Sequence, residues 1–225
     1  MVGLGNEGRN TMYHYEYVSK RDAKPYRDEF LDIIHEIQNL LRDKFTFSYK
    51  FVGSSSRNMI TCDFTTNKGF DFDVDFYIND YEEEYSAEEI KKEIMKAIDK
   101  VAPKRGFQYC EDSTRVITVK SSKGFANRTE YSCDICIVNE YVDKEGKKRQ
   151  QYIRHQKSQN NYKWVEQSTK YYLESKIRWL KGKELWNDVL KLYIYKKNNN
   201  LNPYKKSRAL YAETIHEICQ KNGYI

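Results

Sequence analysis

The sequence predicts an α+β fold, in which a mixed or antiparallel sheet is flanked by helices and a C-terminal helical part packs against it. Between residues 45 and 155, aromatic and apolar side chains alternate with polar ones in short runs, which is typical of strands. Amphipathic stretches with apolar intervals of three and four indicate helices on either side of these runs. We therefore predict a sheet-containing domain over residues 1–160 and a helical part over 161–225, with 20 Tyr and 10 Phe to help fill the core.

The boundaries of the predicted elements follow from turn and capping residues. In order, the first elements are a helix at 22–44, a strand at 45–53, a short helix, a hairpin turn at 67–69, a strand at 70–78 and a helix at 86–102. Strands at 107–112, 115–121, 128–141 and 151–155 come next, followed by helix-like blocks at 163–182, 184–200 and 202–223. Gly53 ends the first strand, Asn67 and Gly69 suit a tight turn, and Ser86 with Glu89 forms a capping box.

Charge is distributed unevenly along the chain. Residues 1–145 hold 21 Lys and Arg against 27 Asp and Glu, whereas residues 146–225 hold 18 against 6. An acidic part followed by a basic part is compatible with a cation site beside a polyanion site. It is equally compatible with lysine-rich helices that are merely soluble.

The cysteines and the hydropathy indicate the compartment. Five cysteines are an odd number, which argues against a disulfide framework. Cys133 and Cys136 form a CxxC inside an apolar strand, without a second ligand pair at zinc spacing, so we interpret them as structural. No apolar run reaches the roughly 20 residues of a membrane helix, and the chain does not begin with a secretory signal pattern. We expect a cytoplasmic protein that does not bind membranes.

Three carboxylates alternate with large apolar residues in the predicted strand at 70–78: Asp71, Asp73 and Asp75. Strand residues two apart share a face and lie about 6.5 Å apart, so their repulsion is costly on a buried face unless cations bind there. Two divalent ions about 3.5–4 Å apart fit between two adjacent carboxylates and a third from another strand. Asp134, the single acid of the apolar run 131–138, can supply the third. An exposed edge strand whose acids oppose aggregation is the alternative.

Gly53 and Ser54 are a candidate phosphate loop at the end of a strand, one hairpin before these acids. Free N–H groups at the start of a helix and a small hydroxyl bind phosphate. Arg57 and Lys68 lie close in sequence and are candidates for phosphate contacts, and a solvent-exposed cation is the alternative for each. Carboxylate-held Mg²⁺ beside a phosphate cradle predicts phosphoryl or nucleotidyl transfer.

Three motifs occur in this order along the chain: Gly53-Ser54, Phe70-Asp71-Phe72-Asp73-Val74 and Cys133-Asp134-Ile135. Their order resembles that of the DNA polymerase β-like nucleotidyltransferase superfamily, and the resemblance covers roughly residues 25–215. Together with the helical C-terminal part, it is most similar to the branch of cyclic GMP-AMP synthase, oligoadenylate synthases and their bacterial relatives. The resemblance implies that Asp71 and Asp73 hold two Mg²⁺ ions, for which Mn²⁺ can substitute. It implies that Asp134 holds the ion that activates the acceptor hydroxyl, and that Ser54 binds the triphosphate of an NTP, with ATP as the expected donor.

The sequence departs from the family pattern in two respects. The stretch from Gly53 to Asp71 is longer than in the family, which is why we place a hairpin there. The additional Asp75 leaves the register of the metal pair open. We choose Asp71 and Asp73, because residues 74–78 then continue the strand after the second acid; if Asp73 and Asp75 are the ligands, Asp71 becomes a turn residue.

The helical part offers weaker candidates for nucleotide contacts. Lys170 and Lys176 could contact phosphates. The aromatic residues that could stack on a base are Tyr162, Trp164, Tyr171 and Tyr172. For all of these, core packing or surface exposure is the alternative role.

The predicted activity is transfer of an NMP from an NTP to a hydroxyl group, which could make a cyclic or linear oligonucleotide. The chain is short for the branch and its C-terminal part is basic, so an RNA 3′ end, a protein or a small molecule are further candidate acceptors. The alternative is a catalytically silent nucleotide- or RNA-binding module of the same fold. The presence of all three acids favours the enzyme.

Overall fold

The computed structural model describes residues 14–65, 69–80, 84–121, 131–167, 173–202 and 204–224. The strands are β1 Tyr15–Tyr17, β2 Thr46–Val52, β3 Thr61–Asp63, β4 Asp71–Asn79, β5 Glu111–Asp112, β6 Val116–Lys120, β7 Ser132–Val142, β8 Lys148–Gln156 and β9 Asn161–Glu166. The α-helices are α1 Lys20–Leu41, α2 Gly53–Ser56, α3 Ala87–Val101, α4 Glu174–Gly182, α5 Trp186–Asn198 and α6 Ser207–Lys221. Within this part of the chain, no helix is both long and apolar enough to cross a bilayer.

The chain divides into two compact units. The sheet unit comprises Tyr17–Cys62 and Asn67–Thr169. The helical unit comprises Met1–Glu16, Asp63–Thr66 and Lys170–Ile225.

The sheet unit is built on a mixed sheet with strand order β2-β4-β7-β6-β5, to which β8 and β9 are added beside β7. Strands β4 and β7 are parallel, and the other pairs in this sheet are antiparallel. The long strand β7 pairs with β4 and β6 through its first half and with β8 through its second half. The predicted fold class, α+β with a mixed sheet flanked by helices, is confirmed.

One face of this sheet is covered by α1 and α3 and forms the core. Phe72, Val74 and Phe76 of β4 are fully buried, and they belong to one apolar cluster with residues of both helices. Phe72 packs against Phe30 of α1 with ring centroids 5.6 Å apart, and Phe76 stacks on Phe47 at 4.4 Å. Because alternate strand residues point to opposite faces, the intervening acids of β4 lie on the face away from α1 and α3.

Helix α3 begins where the sequence predicted. The side chain of Ser86 accepts a hydrogen bond from the backbone N–H of Glu89, and the Glu89 carboxylate accepts one from the Ser86 N–H. The predicted capping box is therefore confirmed. The helix ends at Val101, before Pro103, as expected.

Residues 161–166 form strand β9 and not the beginning of a helix, so the helix predicted over 163–182 is wrong in its first part. Tyr162 and Trp164 are two residues apart, and both pack against the apolar core cluster. The strand pairs with β8 across a turn in which Asn160 adopts a left-handed conformation. Burial of two large rings at a spacing of two stabilises a strand here.

Two other predictions are changed by the structure. Strand β3 pairs with β1 in a small two-stranded sheet, and not with β4 as in the expected hairpin; residues 67 and 68 of its predicted turn lie outside the described residues. The strand predicted at 107–112 is reduced to Glu111–Asp112 and one isolated bridge between Phe107 and Ser121.

In the helical unit, α6 packs against α4 and α5 through buried apolar residues. Leu180, Val189 and Ile215 are fully buried. The ammonium group of Lys196 forms ion pairs with both Glu213 and Glu217, at 2.8 and 2.7 Å. Part of the positive charge in this unit is therefore neutralised internally.

A buried ion pair joins α3 to the edge of the sheet. The side chain of Lys91 is 1% exposed, and its ammonium group lies 2.7 Å from Oδ1 of Asp112 and donates to the carbonyl of Ser113 at 3.0 Å. Oδ2 of Asp112 accepts a hydrogen bond from the hydroxyl of Tyr162 at 2.7 Å. The ring of His155 stacks on that of Tyr162, with centroids 4.2 Å apart. This cluster ties α3, β5, β8 and β9 together.

We predict that Asp112→Ala lowers the free energy of unfolding by about 3–5 kcal/mol, because it leaves the ammonium group of Lys91 buried without its counter-charge. Urea denaturation measures the change. The matched control is Glu145→Ala, which breaks an exposed pair with Lys147 and should cost less than about 1 kcal/mol. Equal losses in the two variants would contradict the prediction.

Candidate functional site

The acids predicted from the sequence lie on adjacent strands in register. In the parallel pair of β4 and β7, Asp73 is the partner of Asp134. Thr118 of β6 is the partner of Asp134 on its other side. Paired residues on neighbouring strands point to the same face of a sheet, so Asp71, Asp73 and Asp134 share the face away from α1 and α3. We call this the acid face.

Hydroxyl groups from neighbouring strands hold two of these carboxylates. Thr118 donates a hydrogen bond to Oδ1 of Asp134 at 2.6 Å. Ser132, the partner of Asp71 on β7, donates from its hydroxyl to Oδ1 of Asp71. Neither residue was predicted from the sequence. Their signal was an alternate position, since each hydroxyl lies two residues from another polar residue of its strand, Lys120 for Thr118 and Asp134 for Ser132.

Asp73 lies at the centre of the negative charge. Burial, the largest cause, and the negative charges of Asp134 and Asp71 together raise the pKa of its carboxyl to about 6, while Arg57 opposes the shift. Burial also raises the pKa of Asp134, against the hydrogen bond from Thr118. In the absence of a counter-charge, the acid face therefore disfavours the ionised forms of Asp73 and Asp134.

Asp75 lies in a different environment, although it is on the same strand face. Its partner on β2 is Lys50. Burial raises the pKa of Asp75 to about 6, and the positive charges of Arg115 and Lys50 oppose the shift. Arg115 in turn donates to Gln167 at 2.8 Å. The charges nearest to Asp73 are thus mainly acids, whereas those nearest to Asp75 are mainly cations.

The predicted phosphate loop directly follows β2, which ends at Val52, and begins α2. Gly53 has a φ of 64°, and a Cβ atom there would overlap Oδ2 of Asp73 and lie 2.8 Å from its Cγ. Only glycine fits both the conformation and the space. The backbone of the loop is therefore packed directly against the carboxylate of Asp73.

The three serines of α2 differ in their hydrogen bonds. Ser55 and Ser56 donate to the carbonyls of Val52 and Gly53, at 2.9 and 3.0 Å. The hydroxyl of Ser54, which is half-buried, has no hydrogen-bond partner within the described part of the chain. Arg57 is the exposed residue that ends α2.

The acid face suits a divalent cation in its donor chemistry. Carboxylate oxygens are the ligands that Mg²⁺ prefers, and mutual repulsion of half-buried acids is relieved by a bound cation. Among the residues that the structure describes, however, no three His, Cys, Asp or Glu side chains are gathered closely enough to hold an ion. Asp71 and Asp134 are instead held by Ser132 and Thr118. The donor chemistry and the strand register of these acids fit a cation. The carboxylates of Asp71 and Asp134 would have to turn towards the ion to bind it.

The remaining predicted residues lie elsewhere. In the helical unit, the ammonium group of Lys176 is 2.6 Å from Nδ1 of His216 and 5.6 Å from the ring centroid of Tyr224. Lys68, Lys170, Tyr171 and Tyr172 lie outside the described residues. Tyr162 and Trp164 pack in the sheet unit, as described above.

No protein-family model matches the sequence, and no curated protein sequence matches it. Solved structures match its fold. The STING-associated CdnE c-di-GMP synthase from Capnocytophaga granulosa matches with a TM-score of 0.58 and 15% identity, over 92% of this chain and 62% of that chain. GTP-bound DncV from Vibrio cholerae matches with a TM-score of 0.51 and 14% identity, over 89% and 52%. Its 3′-deoxy GTP-bound form matches with a TM-score of 0.53 and 14% identity, over 85% and 50%.

The protein thus shares the fold of the CdnE and DncV structures, which confirms the fold that the sequence resemblance implied. The chain spans 62% of the length of the c-di-GMP synthase and about half the length of DncV.

We predict that Gly53→Ala destabilises the protein more than Gly106→Ala. Both glycines have a positive φ, but a Cβ at position 106 would meet no atom within 4 Å. Gly106→Ala therefore reports backbone strain alone, about 1 kcal/mol, and the overlap with Asp73 should add about 1–3 kcal/mol in Gly53→Ala. Urea denaturation of both variants measures the difference. Equal losses would show that the loop is not packed against Asp73.

We predict that Asp73→Asn stabilises the metal-free protein at pH 7 by about 1–3 kcal/mol. The folded pKa of Asp73, about 6, lies above the ordinary value of 3.8. The folded chain therefore binds more protons than the unfolded chain between these values, and stability falls as pH rises through that window. Denaturation with a chelator at about pH 3.5 and pH 7 should show the gain at the higher pH alone. Asp43→Asn, at an exposed position, is the control, and a gain at both pH values would contradict the assignment.

Proposed function

We propose that the protein is a Mg²⁺-dependent nucleotidyltransferase that transfers an NMP from an NTP, with ATP as the expected donor, to a hydroxyl acceptor. The observation that carries the proposal is the pairing of Asp73 with Asp134 in register, with the Gly53 loop packed against Asp73. This arrangement combines acids for a cation with a loop for a phosphate on one sheet face. The fold shared with nucleotide-bound solved structures supports it.

Each residue of the site has a role in this proposal. Asp71 and Asp73 would hold two Mg²⁺ ions, and Asp134 would share the ion on the acceptor side; Mn²⁺ can substitute. When bound, the ions neutralise charge on the attacking and leaving oxygens. Ser54, with its hydroxyl unengaged, and the backbone of Gly53 would bind the donor phosphates, and Arg57 would approach them from the exposed side.

The reaction is a substitution at the α-phosphorus. The acceptor oxygen forms a bond to this phosphorus, and the bond between the phosphorus and the oxygen bridging to the β-phosphate breaks. Pyrophosphate leaves with the electron pair, and the hydroxyl proton passes to solvent. Nothing in this step requires a redox partner.

The acceptor is proposed to be a second nucleotide, which would give a cyclic or linear oligonucleotide. Two solved structures of the same fold are a c-di-GMP synthase and a dinucleotide cyclase. RNA, which the experiment below includes, is an alternative acceptor, and a protein or a small molecule are further alternatives. The metal pair is proposed to be Asp71 and Asp73, because the charges that act most strongly on Asp75 are the cations Arg115 and Lys50.

A catalytically silent nucleotide- or RNA-binding module is the second candidate. The observation that favours it is that Asp71 and Asp134 accept hydrogen bonds from Ser132 and Thr118, and that the described acids do not form a cluster of metal ligands. All three acids are nevertheless present, which favours turnover.

The test incubates the protein with all four NTPs and Mg²⁺ or Mn²⁺, with and without RNA, and identifies products by mass spectrometry. We expect pyrophosphate and a new phosphodiester or phosphoester. Asp73→Asn and Asp71→Asn should each lower turnover about 10²–10³-fold, as removal of groups that stabilise transition-state charge does. Asp75→Asn should stay within about tenfold of the wild type.

Two outcomes would revise the proposal. A large loss in Asp75→Asn with activity kept in Asp71→Asn would move the metal pair to Asp73 and Asp75. If no NTP is consumed, and thermal shifts show NTP binding that depends neither on Mg²⁺ nor on Asp73, the protein is a binding module.

A further inference from the structure

The side of the acid face on which an acceptor would bind follows from the strand order, given the proposed function on which this inference rests. Gly53 lies beside Asp73 on the β2 side, and Asp134 lies on the β7 side. In phosphoryl transfer the attacking and leaving oxygens are in line across the phosphorus. If pyrophosphate leaves towards Gly53, the attacking hydroxyl comes from the direction of Asp134, which is the side of β6 and β5.

A single cationic side chain lies on that side, among the described residues of β5, β6 and β7. It is Lys120, the last residue of β6 and the register partner of Ser132. Ser132 in turn donates to Asp71. Lys120 therefore lies on the strand next to that of Asp134, and strand β7 separates it from Asp71. Its positive charge favours the ionised form of Asp134.

Among the described residues, Lys120 has one partner, and that partner is exposed. Its ammonium group donates to both carboxylate oxygens of Glu111, at 2.7 and 2.8 Å. The two side chains are 45% and 57% exposed. Glu111 belongs to β5 and is the register partner of Thr118, the residue that hydrogen-bonds Asp134.

Such a pair contributes little to stability, because both charges remain solvated. The ammonium group can therefore exchange the Glu111 carboxylate for another anion at little cost in stability. Arg57 and Lys50, the cations on the β2 side, are remote from β6. Arg115 donates to Gln167 and lies 4.4 Å from the ring centroid of Tyr152, near Asp75. Lys120 is thus the group placed to meet an anion next to Asp134.

We propose that Lys120 is a specificity-determining residue that binds a phosphate group of the acceptor, and that Glu111 competes with that phosphate for the ammonium group. The protein then selects a phosphorylated nucleoside as acceptor over the uncharged nucleoside. The two residues have opposite effects: Lys120 strengthens binding of the anionic acceptor, and Glu111 weakens it.

The test compares adenosine with 5′-AMP as acceptors in the full chain with Mg²⁺. The donor is 2′,3′-dideoxy-ATP, which has no sugar hydroxyl to act as acceptor itself. We expect Lys120→Ala to lower kcat/KM for AMP about tenfold, through KM, with adenosine unchanged; tenfold corresponds to about 1.4 kcal/mol. Glu111→Gln should raise kcat/KM for AMP. The control variants are Lys92→Ala and Glu88→Gln, which break an exposed pair on α3.

If the Lys120–Glu111 pair is purely structural, Lys120→Ala and Glu111→Gln should change kcat/KM in the same direction, because each substitution breaks the same ion pair. Equal changes for both acceptors, or changes of the same sign in Lys120→Ala and Glu111→Gln, would overturn the proposal. A second readout is equilibrium binding of AMP and adenosine by calorimetry, with Mg²⁺ and no donor, so that no turnover occurs. A preference for AMP that Lys120→Ala removes supports the role of Lys120 even if no NTP is consumed. If no NTP is consumed, the proposed enzymatic function fails while the role of Lys120 in binding stands. A preference for AMP that Lys120→Ala leaves intact overturns the role of Lys120.

Discussion

Repulsion between the half-buried carboxylates of β4 and β7 is opposed by the apolar packing on the other face of the same strands. Phe72 and Val74 of β4 and Cys133 and Ile135 of β7 are buried in the core cluster beneath α1 and α3. A slip of one residue in either strand would move these side chains out of the core. The core therefore fixes the register, and the register brings Asp73 and Asp134 together. The free energy of apolar burial thus offsets the electrostatic repulsion between Asp73 and Asp134, which would otherwise separate the two carboxylates.

The acid face is not uniform, and its variation follows the strand order. Asp73 and Asp134 lie between a loop that offers backbone and hydroxyl groups on the β2 side and the Lys120–Glu111 pair on the β5 side. Further along β4, Asp75 is surrounded by Lys50 and Arg115. One strand therefore carries acids in two electrostatic environments, one in which acids predominate and one in which cations predominate. A bound cation would relieve the repulsion in the first, whereas side chains supply positive charge in the second.

The parts of this arrangement that depend on local sequence could be predicted. The alternation around Asp71 and Asp73, the capping box at Ser86 and the single acid in the apolar run 131–138 are local patterns, and they predicted the fold class and the acid pair across β4 and β7. The environment of Asp75 could not be predicted, because Lys50 and Arg115 reach it from other strands. Strand β9 was missed because its alternation covers six residues, next to a long stretch with helical composition.

The hydroxyl groups on the acid face were also beyond prediction in their roles. Ser132 and Thr118 are ordinary polar residues at alternate strand positions, and only the register shows that they donate to Asp71 and Asp134. In the same way, Gly53 was recognised as the end of a strand, whereas its contact with Asp73 depends on the pairing of β2 with β4. Contacts between strands determine these roles, and one sequence does not specify such contacts locally.

The parallel pairing of β4 with β7 has a consequence for the order in which the chain folds. Asp71 and Ser132 are 61 positions apart, and α3, β5 and β6 are formed by the residues between them. Contacts across such a separation form slowly, because the intervening chain must first be ordered. A partly folded chain that has formed its helices and local hairpins still lacks the acid pair. Any molecule that binds both acids therefore recognises the completed fold alone, and its binding shifts the folding equilibrium towards that state.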